Sequence, residues 1–312
     1  MEADSAKDNR KSQIANRKSV PRLSGTREWA EKTVNIQTGC EHDCRYCYAR
    51  WDAVTRRKRC IREQWRTPHI HADRIEATYH RFKGRVMFPS THDITPRNVS
   101  ECLVVIKKLL VAGNELLIVS KPHLECVQLL CEVLRPWQRH VMFRFTLGST
   151  RDKVLSFWEP GAPSFESRIK SLSCAYMDGY RTSVSCEPFL DVHHAHIQYL
   201  FEECCPYLSD DPVGGFWIGK LRHWNSRVDL AGATAEDLKL YVSPLKAAQG
   251  DAFVRELVRR LDGRRFIKWK DSIREVIEKE RQRISATEST EDTEKIATNE
   301  HEPARKTISV NP

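Results

Sequence analysis

Asn35-Ile36-Gln37-Thr38-Gly39-Cys40-Glu41-His42-Asp43-Cys44-Arg45-Tyr46-Cys47-Tyr48-Ala49-Arg50 is the stretch around which the rest of the chain is organised. Three cysteines, Cys40, Cys44 and Cys47, fall within eight positions, separated first by three residues and then by two. Thiolates this close in sequence converge on a common centre only if the backbone curls, and Gly39 supplies the freedom to do so. Thiolates are soft ligands that select zinc, copper(I) or iron–sulfur clusters. A closed four-thiolate site leaves no coordination position free, whereas three thiolates on a four-iron cluster leave one iron open. Open positions on metals are where chemistry occurs.

Immediately before this stretch, Thr33 to Ile36 predicts a strand whose end delivers the loop. Immediately after it, residues 50–85 carry eleven Lys/Arg against four Asp/Glu, a net +7 out of +9 for the whole chain. Two readings stand side by side: a basic surface suited to phosphates or nucleic acid, or the solvated face of an arginine-rich helix.

With 312 residues, 40% hydrophobic and 30% charged, the chain can fill a sizeable core. It has room for two average domains or for one α/β barrel of about 200–250 residues. No apolar run approaches the roughly 18 residues a membrane span needs. Residues 1–19 are polar without an apolar h-region, so no signal peptide is expected. Eleven cysteines, an odd number with three clustered, fit a reducing cytoplasm better than a disulfide scaffold.

Strand and helix signals alternate along the chain. Further strands are expected at Arg85–Phe88, Glu115–Ser120, Val141–Thr146, Arg181–Glu187 and Gly214–Gly219. Helices are expected from Thr95-Pro96 to Gly113, over Leu124–Leu134, from Pro163-Ser164 to Asp178-Gly179, over His194–Cys204, and over Lys270–Arg283 outside the barrel. Six such units imply right-handed parallel crossovers and a partial (β/α)6 barrel with C-terminal helices. The expected organisation is a flexible basic arm at 1–32, the barrel at 33–262, a helical extension at 263–284 and a disordered tail at 285–312. In a parallel barrel the functional groups gather at the carboxyl ends of strands. Those ends are Cys40 to Cys47, Ser90 to Asp93, Ser120-Lys121, Thr146 and Glu187, a polar group at each of five.

Cys40-Glu41-His42-Asp43-Cys44-Arg45-Tyr46-Cys47 resembles the signature of radical S-adenosylmethionine (radical SAM) enzymes, and the longer string through Arg50 is similar to their spore photoproduct lyase-like, or DNA repair photolyase-like, branch. Pro89-Ser90-Thr91-His92-Asp93 resembles that branch's Ser-Thr-Asp loop, with His92 standing where the branch has its aspartate. Ile118-Val119-Ser120-Lys121 resembles its Thr-Lys strand end. Trp158-Glu159-Pro160-Gly161-Ala162-Pro163, with Arg168 beyond, resembles its Glu-Pro-x-Ala-Pro segment. The likeness covers about residues 35–192. It implies a radical SAM barrel in which Cys40, Cys44 and Cys47 hold a 4Fe-4S cluster whose fourth iron takes S-adenosylmethionine, fed by a flavodoxin- or ferredoxin-like electron donor. Reductive cleavage of that cofactor would give a radical that abstracts hydrogen from the substrate. The resemblance assigns Tyr46 to the adenine, Lys121 to the methionine carboxylate, Ser90 or Thr91 to its amino end, Thr146 to the ribose and Glu187 to another polar edge.

There is one departure. Spore photoproduct lyases carry a cysteine just before the Ser-Asp part of this loop, and positions 88–91 here hold none. Cys60, Cys102 or Cys186 could substitute, although no spacing favours any of them.

Competing readings accompany several of these residues. The triad with His42 could be a structural zinc site, although such sites favour paired cysteines set far apart. Lys121 and Glu187 could be surface ion-pair members. His193, His194 and His196 point to different faces of a helix and cannot all converge. Phe216-Trp217 and His223-Trp224 suit core packing or base stacking. The functional expectation is a cytoplasmic, lyase-like radical SAM enzyme with nucleic acid as leading substrate class. The alternatives are modification of a peptide or metabolite, and a non-catalytic metal-containing nucleic-acid-binding protein.

Overall fold

The computed structural model describes residues 24–299, with side chains through 285. Residues 1–23 of the expected arm and 300–312 of the expected tail lie outside the described residues. Seven strands form one parallel sheet: β1 (Lys32–Thr33), β4 (Arg85–Phe88), β5 (Glu115–Ser120), β6 (Val141–Thr146), β7 (Arg181–Cys186), β8 (Gly215–Ile218) and β9 (Ile267–Trp269), hydrogen-bonded in that order. The sheet runs from β1 at one edge to β9 at the other without closing. It is a mostly parallel, open α/β half-barrel.

The two-residue period of the strands sorts their side chains onto two faces. Val86, Phe88, Leu116, Ile118, Val141, Phe143, Phe145, Val184, Phe216 and Ile218 face outward into one large core shared with the flanking helices. Met87, Leu117, Val119, Met142 and Trp217 face inward and pack with Trp29 and Ala30 in a smaller cluster lining the concave side. The helices that complete the outer core include Val99–Val111, Leu124–Leu134, Phe165–Met177, His194–Cys204 and Asp251–Leu261. Local signals define their starts: the Ser164 hydroxyl accepts the Ser167 N–H, capping the Phe165–Met177 helix as its sequence predicts.

The first strand differs from the expectation. The main sheet takes only Lys32 and Thr33, after which the chain turns into β2 (Gln37–Thr38), antiparallel to β3 (His69–Ile70). The turn has a physical cause. The Ile36 N–H donates to His92 Nε2 at 3.3 Å and its carbonyl accepts the His71 N–H at 2.8 Å, drawing the chain away from β4. This small sheet braces the cysteine loop from below.

A seventh main-sheet strand, β9, was not expected, because three half-buried residues after an arginine-rich turn carry no periodic signal. It sits next to a second departure. Lys270, expected on an outer helix, is fully buried. Its Nζ lies 2.9 Å from Glu28 Oε1, 3.4 Å from Glu187 Oε2 and 2.9 Å from the Gly25 carbonyl, and 4.0 Å above the Trp29 ring. The described end of the arm is therefore folded in, with Trp29 buried between Lys270 and the sheet. The following helix, Asp271–Asn299, extends past Arg283 into the segment read as a disordered tail.

Candidate cofactor and substrate cavity

The cysteine loop leaves β2 through Gly39, whose φ of +99° lies in the left-handed region. A Cβ there would stand 2.8 Å from the Trp65 carbonyl oxygen, the same oxygen that accepts the Cys40 N–H at 2.9 Å. Glycine is required on both counts. On its other side the loop is gripped by residues 157–161. The Arg45 N–H donates to the Trp158 carbonyl at 2.8 Å, Arg45 Nε donates to the Phe157 carbonyl at 2.9 Å, and the Gly161 N–H donates to the His42 carbonyl at 3.0 Å. A Cβ on Gly161 would fall 2.2 Å from the Glu41 carbonyl oxygen, so the two backbones meet where no side chain fits.

Cys40, Cys44 and Cys47 open onto a cavity of about 390 Å³ at the carboxyl ends of the strands. Tyr46, Ser90, Thr91, Lys121, Thr146 and Glu187 also line it, so the residues singled out from five separate places in the sequence face one space. The remaining wall is formed by Ser24, Gly25, Tyr48, Lys220, Arg222, His223 and Arg227, among others.

Asp93 is the electrostatic centre of the cysteine side. Its Oδ1 accepts the Lys121 N–H at 2.6 Å and the Ser120 hydroxyl at 3.0 Å. Its Oδ2 lies 2.9 Å from His42 Nδ1, 3.7 Å from Lys121 Nζ and 3.8 Å from the Cys40 thiol. Burial works against the Asp93 anion, but Lys121 and then His42 outweigh it and hold its carboxyl well below the usual range. Burial also works against the Lys121 cation, and Asp93 foremost reverses this, raising its pKa well above the ordinary value. Asp93 is thus a candidate site residue that strand-end logic reached but motif matching displaced. Asn35 was missed altogether: its Oδ1 accepts the Ser90 and Thr91 N–H groups at 2.7 and 2.9 Å and fixes that loop.

A second buried network holds Tyr46. Its hydroxyl donates to Glu159 Oε1. Glu159 and Arg168 are both fully buried, with Oε2 and Nη2 2.5 Å apart but not aligned as a hydrogen bond. Arg168 also donates to the Pro163 and Thr146 carbonyls at 2.9 and 3.2 Å. One guanidinium therefore ties the cysteine loop, the 159–163 segment and the end of β6 together. Burial, reinforced by Glu159, pushes the Tyr46 phenol up. Glu187 is raised as well, chiefly by burial, with Lys270 partly offsetting it.

Burial raises the Cys40, Cys44 and Cys47 thiols, so without a metal they stay protonated, and a multivalent cation would reverse that balance. Their spacing bears on which cation. A single zinc ion with bonds of about 2.3 Å to each sulfur needs the thiols within roughly 4 Å of one another. Among the described residues, the three cysteines do not make a group whose ligand atoms all lie within 4.8 Å; Cys40, His42 and Asp93 do. His42 is occupied between Asp93 and His123, both at 2.9 Å, rather than turned toward Cys44 and Cys47. A three-thiol donor set with wider spacing fits a polynuclear cluster.

The basic stretch after the triad is partly neutralised within the fold. Arg50 is buried with Asp43 and Asp229 at 3.6 and 3.8 Å, and Arg62 bridges the same two acids at 3.1 and 2.6 Å. Arg56 and Arg57 pair with Asp52, and Arg66 approaches Asp43. The acids that neutralise it include Asp43, within the cysteine loop, and Asp229, far along the chain, so counting charge over residues 50–85 alone overstates the basic surface. None of the three cysteines considered as substitutes lines the cavity: Cys60 faces a different one, and Cys102 and Cys186 lie in the outer core. The three histidines do not all converge: His194 is stacked on Phe253 at 3.9 Å, whereas the His193 and His196 rings meet edge-on at 5.3 Å with His196 3.8 Å from Asp191. Phe216 and Trp217 are core residues on opposite faces of β8, whereas His223 reaches the cavity.

Fold and site together define an open parallel α/β half-barrel with a thiol triad at its carboxyl mouth. No protein-family model matches the chain, and no curated protein matches it in sequence. Among solved structures, it is similar to a spore photoproduct lyase mutant with a dinucleoside spore photoproduct, at 17% identity and a TM-score of 0.48 over 81% of this chain and 80% of that one. A further mutant of that lyase, with bound AdoMet and the dinucleoside, is 19% identical at a TM-score of 0.44 over 80% of this chain and 66% of that one. Streptococcus suis SuiB bound to S-adenosylmethionine is 12% identical at a TM-score of 0.41 over 75% of this chain and 45% of that one. All eleven cysteines are free, and no described helix is long and apolar enough to cross a membrane.

Proposed function

We propose that this chain is a radical S-adenosylmethionine enzyme of the spore photoproduct lyase-like branch, acting on an anionic substrate with nucleic acid as the leading class. The observation that carries the reading is the convergence of the three thiols with Tyr46, Ser90, Thr91, Lys121, Thr146 and Glu187 on one cavity. Cys40, Cys44 and Cys47 would hold a 4Fe-4S cluster. When bound, the cluster supplies the electron that cleaves the sulfonium bond of S-adenosylmethionine, yielding methionine and a carbon radical that takes a hydrogen atom from the substrate.

The chain's own residues bind and orient. Lys121, fixed by Asp93 at 3.7 Å and lying 5.8 Å from the centroid of the Tyr46 ring, offers a point charge to the methionine carboxylate. Tyr46, locked by Glu159, presents a ring face to the adenine. The Ser90–Thr91 loop held by Asn35 offers hydroxyls to the amino end, and Thr146 and Glu187 offer acceptors to the ribose side.

The opposite wall supports an anionic substrate. Lys220 and Arg222 are paired with Asp251 and with Asp271 and Glu275, but Arg227 has no acidic ion-pair partner among the described residues. Its guanidinium lies 4.8 Å from the centroid of the half-exposed Tyr48 ring, with a buried Nε left unbonded. A phosphate at Arg227 and a base on Tyr48 would use both groups.

Anaerobic reconstitution with iron and sulfide, reduction and addition of S-adenosylmethionine should release 5′-deoxyadenosine, and Cys44→Ala should abolish it. A colourless protein that never cleaves the cofactor refutes the assignment. Oligonucleotide binding should weaken as salt rises and weaken further in Arg227→Met; salt-independent binding removes the substrate class.

A further inference from the structure

The amino-terminal end of the half-barrel holds a second concentration of charge, on the far side of the sheet interior from the thiols. The strand period that sends Met87, Leu117, Met142 and Trp217 inward sends Arg85, Glu115, Arg144 and Arg181 inward as well. Here a cavity of about 470 Å³ opens beside Arg85, with Arg27, Arg81, Trp29, Val213 and the carboxylates Glu28, Glu31 and Glu115 in its wall. Arg144 closes its inner end. That side chain is fully buried, stacks 4.6 Å from the Trp29 ring centroid and donates to the Val213 carbonyl, both groups being part of the wall.

Three guanidinium nitrogens here are left without a partner. Arg144 Nη1, Arg85 Nε and Arg181 Nε are buried with no hydrogen-bond partner. The acids are already engaged: Glu28 by Lys270 and Arg274, Glu115 by His140 and Arg181, Asp211 by Arg181 and the Val213 and Gly214 N–H groups, and Glu31 by the Arg85 N–H. Arg27, Arg81 and Arg85 have no ion pair among the described residues. Burial, and then the charge of Arg85, depresses the Arg144 guanidinium to about 9. Asp211, Glu187 and Glu28 act on it only from a distance, and among the described residues no acid forms a direct ion pair with it; a buried charge without a direct partner is costly.

We propose that this amino-terminal cavity binds a phosphate group through Arg85, with Arg144 and Arg181 behind it. Of the three, Arg85 lies in the cavity wall, and with Arg27 and Arg81 it offers donors from several directions, which suits a tetrahedral oxyanion better than a planar carboxylate. The cavity falls within the range of about 300–1,000 Å³ typical of small-molecule sites, so it has room for a monoester as well as for inorganic phosphate. Arg27 and Arg81 at the rim would meet the rest of such a ligand. The site lies apart from the thiol cavity and does not depend on the chemistry proposed there.

The test is calorimetric titration of the full chain, cluster loaded and saturated with S-adenosylmethionine, with inorganic phosphate and separately with ribose 5-phosphate. Sodium chloride keeps the ionic strength constant. Saturable binding is expected for at least one, tighter for the monoester if the rim arginines take part. Arg85→Met should weaken it at least tenfold, and the exposed Arg81→Met should weaken the monoester more than inorganic phosphate. Absence of saturable binding, or equal affinity in wild type and Arg85→Met, overturns the proposal. Melting curves without ligand establish that both variants are folded.

Discussion

Glu159→Gln removes one charge from the Glu159–Arg168 pair, whose side chains are both fully buried. The variant keeps the size of the side chain and leaves Arg168 as an uncompensated cation beneath the cavity. Loss of one partner of a buried pair costs about 3–5 kcal/mol. For a domain of this size that corresponds to a fall in melting temperature of roughly 6–15 °C, at about 2–3 °C per kcal/mol. Arg168→Met alone should cost a similar amount, because the Glu159 carboxylate is then buried with only the Tyr46 hydroxyl as donor. The double variant should recover much of the loss, since removing both charges from a dry site is far cheaper than removing one. Urea denaturation of the four proteins gives the coupling energy directly. Strict additivity of the two single losses, or a loss below about 1 kcal/mol for Glu159→Gln, would show that the pair does not tie the loop to β6 as argued.

The Gly161→Ala variant places a Cβ 2.2 Å from the Glu41 carbonyl, so the cysteine loop must move; iron content after reconstitution should fall well below that of wild type, and full loading would refute the close-approach argument. Asp93→Asn should destabilise the protein most above pH ~5. Its folded pKa is depressed, so the stabilisation is fully present above the unfolded value of about 3.9 and fades as pH falls toward the depressed one; a gap between wild type and variant that is the same at pH 3 and pH 7 contradicts the assignment. Lys121→Gln should weaken S-adenosylmethionine binding about tenfold, equivalent to about 1.4 kcal/mol, as measured by calorimetry on the reconstituted protein, whereas unchanged affinity would remove Lys121 from the carboxylate contact.

Much of the half-barrel was legible in the order of residues because its signals are local. β5, β6 and the Leu124–Leu134 and His194–Cys204 helices fall where apolar periodicity and their flanking residues put them. The thiol triad and the polar residues at successive strand ends were legible for the same reason, since parallel strands present their carboxyl ends to one mouth whatever surrounds them. β9 was not, because a three-residue strand is defined by the neighbour it pairs with and not by its own composition.

What the sequence by itself determined is therefore the alternation of elements, the curl at Gly39 and the chemistry of the cysteine loop. Only the tertiary structure decided which charges are free. Arg50 and Arg62 look like surface cations until Asp43 and Asp229 arrive beside them, and Lys270 looks like a helix-start lysine until Glu28 and Glu187 enclose it. Tyr46 meets Glu159 across 113 positions and Lys270 meets Gly25 across 245. Contacts at such separations depend on which faces the sheet brings together, and no periodicity within a strand or helix encodes them. The same is true of Arg85 and Arg144, whose lack of an acidic partner among the described residues became visible only when the acids near them were found to be taken.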